Sequence, residues 1–269
     1  MNRAPIGIFD SGLGGLTVAR AIYQALPNDS TVYFGDTARV PYGPKSPATV
    51  RRYSLEITDW LVRQGVKAIV VACNTSTAHA LEALQDATTV PVIGVIEPGA
   101  RAAVRANSGG RPIGVIGTAG TIQSRAYERA IETAAPGTTV VATACPLFVP
   151  LVEEGWFDHE ATRLVATEYL APLLDRGIGT LVLGCTHYPL LKPLLSRVAG
   201  PDVALIDSAD ETSLELKRLL TERDLLPPGG GQPFHRFAVS DDPERFRTVG
   251  SRFLGERMTA AEVVVLGGH

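Results

Sequence analysis

Two cysteines stand where a thiol could do chemistry. The apolar run AIVVAC (68–73) ends in Cys73, and the run TLVLGC (180–185) ends in Cys185. Polar residues follow at once, NT after the first cysteine and TH after the second, so each thiol marks the point where a buried strand meets a polar turn. A helix that begins at such a point favours the thiolate, which is both a base and a nucleophile.

The two cysteines are also matched in spacing. Gly65 precedes Cys73 by eight residues, and Gly177 precedes Cys185 by the same eight. A free cysteine is more often a small core residue than a functional one, and Cys145, between an alanine and a proline, fits that ordinary role. The matched pair does not fit it, because both thiols recur at one position of an internal repeat.

The presence of two matched cysteines argues against several common functions of protein thiols. A thiol hydrolase needs one cysteine and one histidine base, which would leave Cys73 without a role. A disulfide oxidoreductase places its cysteines close together in sequence, and the spacing of the three cysteines does not match a zinc site. Two thiols on opposite walls of a cleft suit the inversion of a stereocentre, since one takes a proton from a carbon and the other delivers a proton to its opposite face.

Strands that end at one cleft must position these thiols. Short β-branched runs alternate with helical patterns along the chain, which is typical of a doubly wound α/β protein with buried parallel strands. Strands are predicted at 6–9, 31–35, 68–73, 90–95, 113–117, 139–145, 180–185, 203–207 and 235–240. Helices are predicted at 15–26, 48–65, 74–87, 122–134, 160–175, 189–198, 211–224 and 242–255.

The two halves of the chain predict two lobes. IGIFDS (6–11) aligns with IGVIGT (113–118), in addition to the matched cysteine segments. We therefore predict two pseudo-symmetric, doubly wound α/β lobes with mainly parallel sheets and the active site in the cleft between them. The first lobe is predicted to comprise residues 1–97 plus a returning tail, 208–269, and the second lobe residues 98–207.

Composition limits the partners and the compartment. The net charge is -3 with acidic and basic residues interleaved, which predicts no direct binding of nucleic acid or of an anionic membrane. The opening MNRAPIGIFD lacks the pattern of a signal peptide, and no apolar run reaches the ~18 residues of a spanning helix, so a cytoplasmic location is expected. Three cysteines, an odd number, should stay reduced there.

The sequence indicates no cofactor. None of the four lysines follows a strand in the manner of a Schiff-base lysine, so pyridoxal phosphate is not expected. The GLGG segment (12–15) lacks the third glycine of a dinucleotide loop, because Thr17 stands there. Its glycines would instead let backbone N–H groups approach an anion, such as a substrate carboxylate, at the start of a helix.

At these residues the sequence resembles the glutamate racemases of the aspartate/glutamate racemase superfamily, and the resemblance covers nearly the whole chain. The GCTHYP segment and the DSGLGG opening carry the most specificity, since aspartate racemases differ at both. The matching segments are FDSGLGGLTV (9–18), YFGDTARVPYG (33–43), VVACNTSTA (70–78), GVIEPGA (94–100), GTAGT (117–121), CPLFVPLVEEG (145–155) and LGCTHYPLL (183–191).

The resemblance implies a cofactor-independent enzyme that supplies D-glutamate for peptidoglycan. Cys73 and Cys185 would be the acid/base thiols, the first acting on the D-enantiomer and the second on the L-enantiomer. Asp10 would assist Cys73, His187 would assist Cys185, and Glu153 would lie close to the second thiol. The residues implied to bind substrate are Asp10, Ser11, Pro41, Tyr42, Gly43, Asn74, Thr75, Thr118, Thr121, Thr186 and His187.

Other readings remain open at this point. A racemase of another acidic amino acid, such as aspartate, is the alternative within the class. A protein that also contacts DNA gyrase is the alternative from another class, because some members of the family bind gyrase. A homodimer is the oligomeric state expected from the resemblance.

Overall fold

The computed structural model describes residues 2–107, 109–229, 231–254, 258 and 260–267. In these residues, ten strands form two separate parallel sheets. The first sheet contains β1 (Ile6–Asp10), β2 (Thr31–Gly35), β3 (Ala68–Val71), β4 (Val92–Gly94), β9 (His235–Val239) and β10 (Ala261–Val263), in the spatial order β10, β9, β2, β1, β3, β4. The second contains β5 (Ile113–Gly117), β6 (Val140–Ala144), β7 (Thr180–Gly184) and β8 (Ala204–Ile206), in the order β6, β5, β7, β8.

Helices cover the sheets, as the parallel strands require. Those that connect two strands of the first sheet, or lead the chain back to it, are α1 (Leu16–Ala25), α2 (Pro47–Arg63), α3 (Asn74–Ala87), α10 (Ala209–Glu222) and α11 (Pro243–Leu254). Those that lead to the second sheet or connect its strands are α4 (Ile96–Ala106), α5 (Ala119–Ser124), α6 (Ala126–Ala134), α7 (Phe148–Glu153), α8 (Glu160–Leu174) and α9 (Lys192–Ala199), with a 3-10 helix at Tyr188–Leu191.

The sequence repeat is a repeat of topology. The order β2, β1, β3, β4 of the first sheet recurs as β6, β5, β7, β8 in the second. Gly65 and Gly177, the matched glycines, have φ angles of 70° and 69°, a left-handed conformation that glycine adopts without steric strain. The predicted architecture of two α/β lobes with parallel sheets is confirmed, and β9 and β10 extend the first sheet beyond β2.

The core explains why the strands are continuous apolar runs. Ile6, Ile8 and Phe9 of β1 have no exposed surface, because helices cover both faces of the sheet. Leu183 and Cys185 belong to the same buried cluster as residues of β1 and α1, so apolar packing continues from one lobe into the other. Among the described residues, no helix combines the length and the apolarity that crossing a bilayer requires.

Several elements differ from their predicted bounds. The predicted helix at 122–134 is divided into α5 and α6 by Arg125, which has a left-handed φ of 55°. The helices α4 and α7 and the short strand β10 were not predicted; Pro98 and Gly99 disguise the first turn of α4, where a proline is tolerated. The predicted helix at 242–255 is observed as Pro243–Leu254, and Gly255 lies outside the described residues.

One buried ion pair lies at the start of strand β3 in the first sheet. Lys67 Nζ lies 2.5 Å from Asp29 Oδ1, and the two side chains are 1% and 2% exposed. The same ammonium donates to the carbonyl oxygens of Asn2 and Leu225, at 3.1 and 2.8 Å. Lys67 therefore joins the start of the chain and the segment after α10 to the strand β3.

We predict that Lys67→Ala lowers the free energy of unfolding by about 3–5 kcal/mol, because it leaves the Asp29 carboxylate buried without its cation. The double variant Lys67→Met, Asp29→Leu should recover most of this loss. Arg63→Ala is the control: its ion pair with Asp59 is 62% and 60% exposed, so the loss there should stay below about 1 kcal/mol. Urea denaturation measures all three, and equal losses for Lys67→Ala and Arg63→Ala would contradict the assignment.

Candidate active site

The carboxyl ends of four central strands meet at the boundary between the lobes. In the first sheet, Phe9 pairs with Val71, so Asp10 and the segment that leads to Cys73 emerge side by side. In the second sheet, Gly117 pairs with Gly184, so Thr118 and Cys185 emerge in the same way. Ligands of open parallel sheets bind at such strand ends.

Cys73 lies at the start of α3 and is 5% exposed. Its sulfur caps the helix by accepting a hydrogen bond from the backbone N–H of Ser76, with Sγ and N 3.4 Å apart. Its S–H points to Ser11 Oγ, 3.7 Å away. Burial and the negative charge of Asp10 raise the pKa of Cys73 to about 11, although the contacts with Ser76 and Ser11 act in the opposite direction.

Cys185 has a different local setting. A turn and the 3-10 helix follow it rather than the α-helix that was expected, because Pro193 would lie inside an α-helix that began at Tyr188, where it has no N–H to donate to the carbonyl of Pro189. The residue is 6% exposed, and its sulfur lies 3.9 Å from Nδ1 of His187. The other ring nitrogen of His187, Nε2, lies 3.2 Å from Oε1 of Glu153 at the end of α7.

The pair of contacts decides the charge of His187. Burial alone would lower the pKa of this imidazole, but the contacts with Cys185 and Glu153 and the negative charge of Asp10 outweigh it and raise the pKa to about 10. His187 is therefore a cation at neutral pH. A cation beside a sulfur atom stabilises negative charge on that sulfur.

Asp10 links the two thiol segments. Its Oδ1 accepts hydrogen bonds from the backbone N–H of Gly15 at 2.8 Å and from Thr186 Oγ1 at 3.5 Å, and Oδ2 accepts one from Ser11 Oγ at 3.4 Å. Burial raises the pKa of this carboxyl group, while the charge of His187 and the hydrogen bonds from Gly15 and Ser11 lower it and leave the pKa above its ordinary value.

The GLGG segment lets the first lobe lie close to the segment that follows Cys185. A Cβ atom on Gly14 would lie 2.2 Å from Thr186 Oγ1 and 2.5 Å from His187 Nδ1, so only glycine lets the first lobe pack this tightly against the second thiol segment. In the structure the N–H of Gly15 donates to the side chain of Asp10, and the binding of a substrate carboxylate at this loop stays a prediction.

Threonine hydroxyls meet across the lobe boundary. Thr75 Oγ1 at the start of α3 lies 2.9 Å from Thr118 Oγ1 and 3.3 Å from Thr121 Oγ1. Asn74 Oδ1 accepts a hydrogen bond from Tyr127 at 2.8 Å, whereas its buried Nδ2 has no hydrogen-bond partner among the described residues. An unsatisfied buried donor is costly, which makes Asn74 Nδ2 a place for an acceptor on a ligand.

The segment from Pro41 to Gly43 forms one wall of the candidate site at the lobe boundary. The Val40–Pro41 peptide bond is cis. The hydroxyl of Tyr42 donates to Asp36 Oδ2, so this buried hydroxyl is engaged within the protein. Gly43 O accepts a hydrogen bond from Gly120 N at 2.9 Å and thereby joins the lobes.

Sequence reasoning missed the residues that hold this wall. Asp36 is fully buried and accepts from Arg39 Nε at 3.0 and 2.7 Å and from Ser240 Oγ at 2.8 Å. His79 Nε2 lies 3.0 Å from Gly120 O and adds a second contact between the lobes. The signal for Asp36 and Arg39 was available, since both charges lie within GDTAR directly after a buried strand.

No group of three or more His, Cys, Asp or Glu side chains suited to a metal ion occurs among the described residues. All three cysteines are free and buried. The arrangement thus offers two thiols, a histidine cation and a buried carboxyl group, all held at the strand ends. These groups can give and take protons.

Fold and site together define a class: a two-lobed α/β protein with paired free thiols at matched strand ends. Residues 13–213 match the Asp/Glu/Hydantoin racemase family. The chain is 56% identical over 253 residues to the glutamate racemase of Geobacter metallireducens, covering 94% of this chain and 93% of that protein. It is 53% identical over 264 residues to the glutamate racemase of Neisseria meningitidis, covering 98% and 97%.

A solved structure has the same fold. The glutamate racemase of Francisella tularensis, crystallised in complex with D-glutamate, superimposes with a TM-score of 0.93 at 41% identity, and the match covers 100% of both chains. This chain belongs to the Asp/Glu/Hydantoin racemase family.

The two thiols should differ in reactivity although they are equally buried. Only the thiolate is alkylated by iodoacetamide, and with a pKa of about 11 fewer than about one Cys73 in a thousand is ionised at pH 7.5. Cys185 faces the His187 cation, so we expect it to be alkylated first. Labelling of Cys73 should increase steadily as the pH is raised toward 11.

Peptide mapping by mass spectrometry measures this order. Cys145, which has no exposed surface and whose pKa burial raises strongly, is the internal control and should stay unlabelled. Labelling of Cys73 at pH 7.5 as fast as that of Cys185 would contradict the charge assignment.

Proposed function

We propose that this protein interconverts L- and D-glutamate without a cofactor, using Cys73 and Cys185 as its two acid/base groups. The observation that carries the proposal is the pair of buried free thiols at matched strand ends, linked through Asp10, Ser11 and Thr186. A relative at 56% identity over 94% of the chain is named a glutamate racemase, and that relationship supports glutamate as the substrate.

The proposed mechanism begins with L-glutamate between the thiols. Cys185, as the thiolate beside the His187 cation, removes the α-proton and becomes a thiol. Cys73, a thiol in the free protein, donates its proton to the opposite face of the α-carbon and becomes the thiolate. D-glutamate results, and the same steps run backwards from it with the thiols exchanging roles.

The difficult step is the formation of negative charge at the α-carbon of an amino acid whose carboxylate is already charged. Hydrogen-bond donors aimed at that carboxylate lower the barrier when they are in place before the reaction. We propose Asn74 Nδ2 and the hydroxyls of Thr75, Thr118 and Thr121 as such donors, together with Ser11 and the main chain around Gly43. The lobes must separate for substrate to reach them, because the Gly43–Gly120 and Thr75–Thr118 contacts close the boundary.

Peptidoglycan synthesis is the use of D-glutamate that the family resemblance implies. A homodimer, a contact with DNA gyrase and a cytoplasmic location stay predictions from the sequence. They play no part in the chemistry proposed for the two thiols.

The proposal predicts the outcome of variants at all three cysteines. Cys73→Ala and Cys185→Ala should each lower the rate of racemisation by at least about 1000-fold, because each removes one of the two proton carriers. Cys145→Ala, the matched control at the third buried thiol, should retain activity. Circular dichroism of L-glutamate solutions measures the rate, and a single variant at Cys73 or Cys185 with full activity would contradict the two-thiol mechanism.

The same assay identifies the substrate. The wild-type protein should abolish the signal of L-glutamate and leave L-aspartate and L-alanine unchanged. Loss of the L-aspartate signal in place of the L-glutamate signal would favour the alternative acidic substrate.

A further inference from the structure

Helix α11 reaches the second thiol from the other lobe. It precedes β10 of the first sheet, yet three of its side chains contact the segment that supports Cys185. They are Arg245, Arg252 and Phe253, at positions i, i+7 and i+8, which lie on one face of a helix. The resemblance to racemases assigns no role to any of them.

Each of the three contacts a different group. Arg245 Nη2 lies 3.7 Å from Glu153 Oε2 and 3.7 Å from Glu154 Oε1. Arg252 Nη1 donates to the backbone oxygen of Glu153 at 3.2 Å, so it holds the end of α7 rather than its carboxylate. The ring of Phe253 lies edge-on to the His187 ring, with centroids 5.9 Å apart.

The two oxygens of Glu153 therefore have separate partners. Oε1 contacts His187 Nε2 at 3.2 Å and Oε2 faces Arg245. The terminal torsion of a glutamate is broad and roughly two-fold, so a single contact leaves the carboxylate free to turn. A cation on the second oxygen restrains that rotation and keeps the first oxygen directed at His187.

The local sequence places Arg245 firmly. The carboxylate of Asp242 caps α11 by accepting a hydrogen bond from the backbone N–H of Arg245 at 2.9 Å. Asp242 itself has a left-handed φ of 44°. The cap fixes the first turn of α11, and with it the point from which the Arg245 side chain extends toward α7.

The charged and titratable groups around the Glu153–His187 pair come from four elements. Glu153 is faced by His187 from the segment after β7, by Arg245 and Arg252 from α11, and by its neighbour Glu154 directly after α7. Burial alone would raise the pKa of Glu153, but the hydrogen bond and charge of His187 and the charge of Arg245 outweigh it and hold the pKa below its ordinary value. On its other side, His187 is faced by Cys185 and Asp10.

We propose that Arg245 is a positioning residue for proton transfer at Cys185: it holds the Glu153 carboxylate across the lobe boundary so that His187 stays oriented toward the sulfur. The inference rests on the proposed racemase function and extends the Cys185 half of the site to a helix of the opposite lobe. Arg245 acts through Glu153 and His187 and does not touch the reacting atoms.

Arg245→Gln tests the proposal in the full-length protein. Because the arginine is 53% exposed, the effect should be modest: we expect kcat to fall about two- to fivefold with KM unchanged. The acid limb of the pH profile of kcat should move to higher pH, since removal of a cation raises the pKa of Glu153 and the carboxylate is protonated earlier as the pH falls. Arg245→Lys, which keeps the charge, should restore part of kcat.

Two controls separate this role from a surface ion pair. Arg247→Gln removes an arginine of equal exposure, 53%, from the same helix, where its partner is Glu244, and should leave kcat and its pH profile unchanged. Glu154→Gln removes the other partner of Arg245 and should also leave them unchanged. The thermal midpoint of each variant monitors folding.

The outcomes separate the two proposals. A wild-type protein without glutamate racemisation would overturn the proposed function. An active wild type whose kcat and pH profile are the same in Arg245→Gln as in Arg247→Gln would overturn the role of Arg245 alone. So would a loss of kcat that Glu154→Gln reproduces, since the arginine would then act through the surface pair.

Discussion

The buried carboxyl group of Asp10 is the constraint on which the site depends. A carboxylate at 1% exposure is stable only when hydrogen bonds replace its water, and the donors here come from Gly15, Ser11 and Thr186. These donors belong to the first βα turn and to the segment after Cys185, so satisfying one side chain brings the two lobes together. The close approach in turn requires glycine at position 14, where any Cβ would collide with Thr186 and His187.

A repeated fold has produced two unequal thiols. Cys73 caps a regular helix, faces a carboxylate and stays protonated, with its pKa raised to about 11. Cys185 precedes a 3-10 helix, and a histidine cation lies 3.9 Å away. The free protein thus holds a proton on one wall and a cation on the other. The proposed reaction needs that difference, because a proton must leave one face of the α-carbon as another arrives at the opposite face.

The features of the fold that depend on local sequence pattern, the strands and the internal repeat, could be predicted from the sequence. Alternating apolar runs predicted the strands, and the spacing from Gly65 to Cys73 and from Gly177 to Cys185 predicted the repeat that the sheets display. Contacts between distant segments could not be predicted in this way. The side chains of Asp36 and Ser240, and those of Glu153 and Arg245, come into contact only when the tail folds onto the first sheet. The periodicity of the sequence does not predict such contacts. The 3-10 helix after Cys185 was not predicted, because its apolar residues also fit the spacing of an α-helix.

In the proposed reaction, two thiols act on opposite faces of the α-carbon, one removing a proton and the other delivering one. The most direct measurement follows deuterium in the first few per cent of L-glutamate conversion in deuterated water, with the enantiomers separated before mass spectrometry. Two thiols predict deuterium in the D-glutamate formed and almost none in the recovered L-glutamate, because the proton removed and the deuteron delivered are held by different sulfur atoms. Equal early labelling of both enantiomers would show that a single group serves both faces, and would contradict the account.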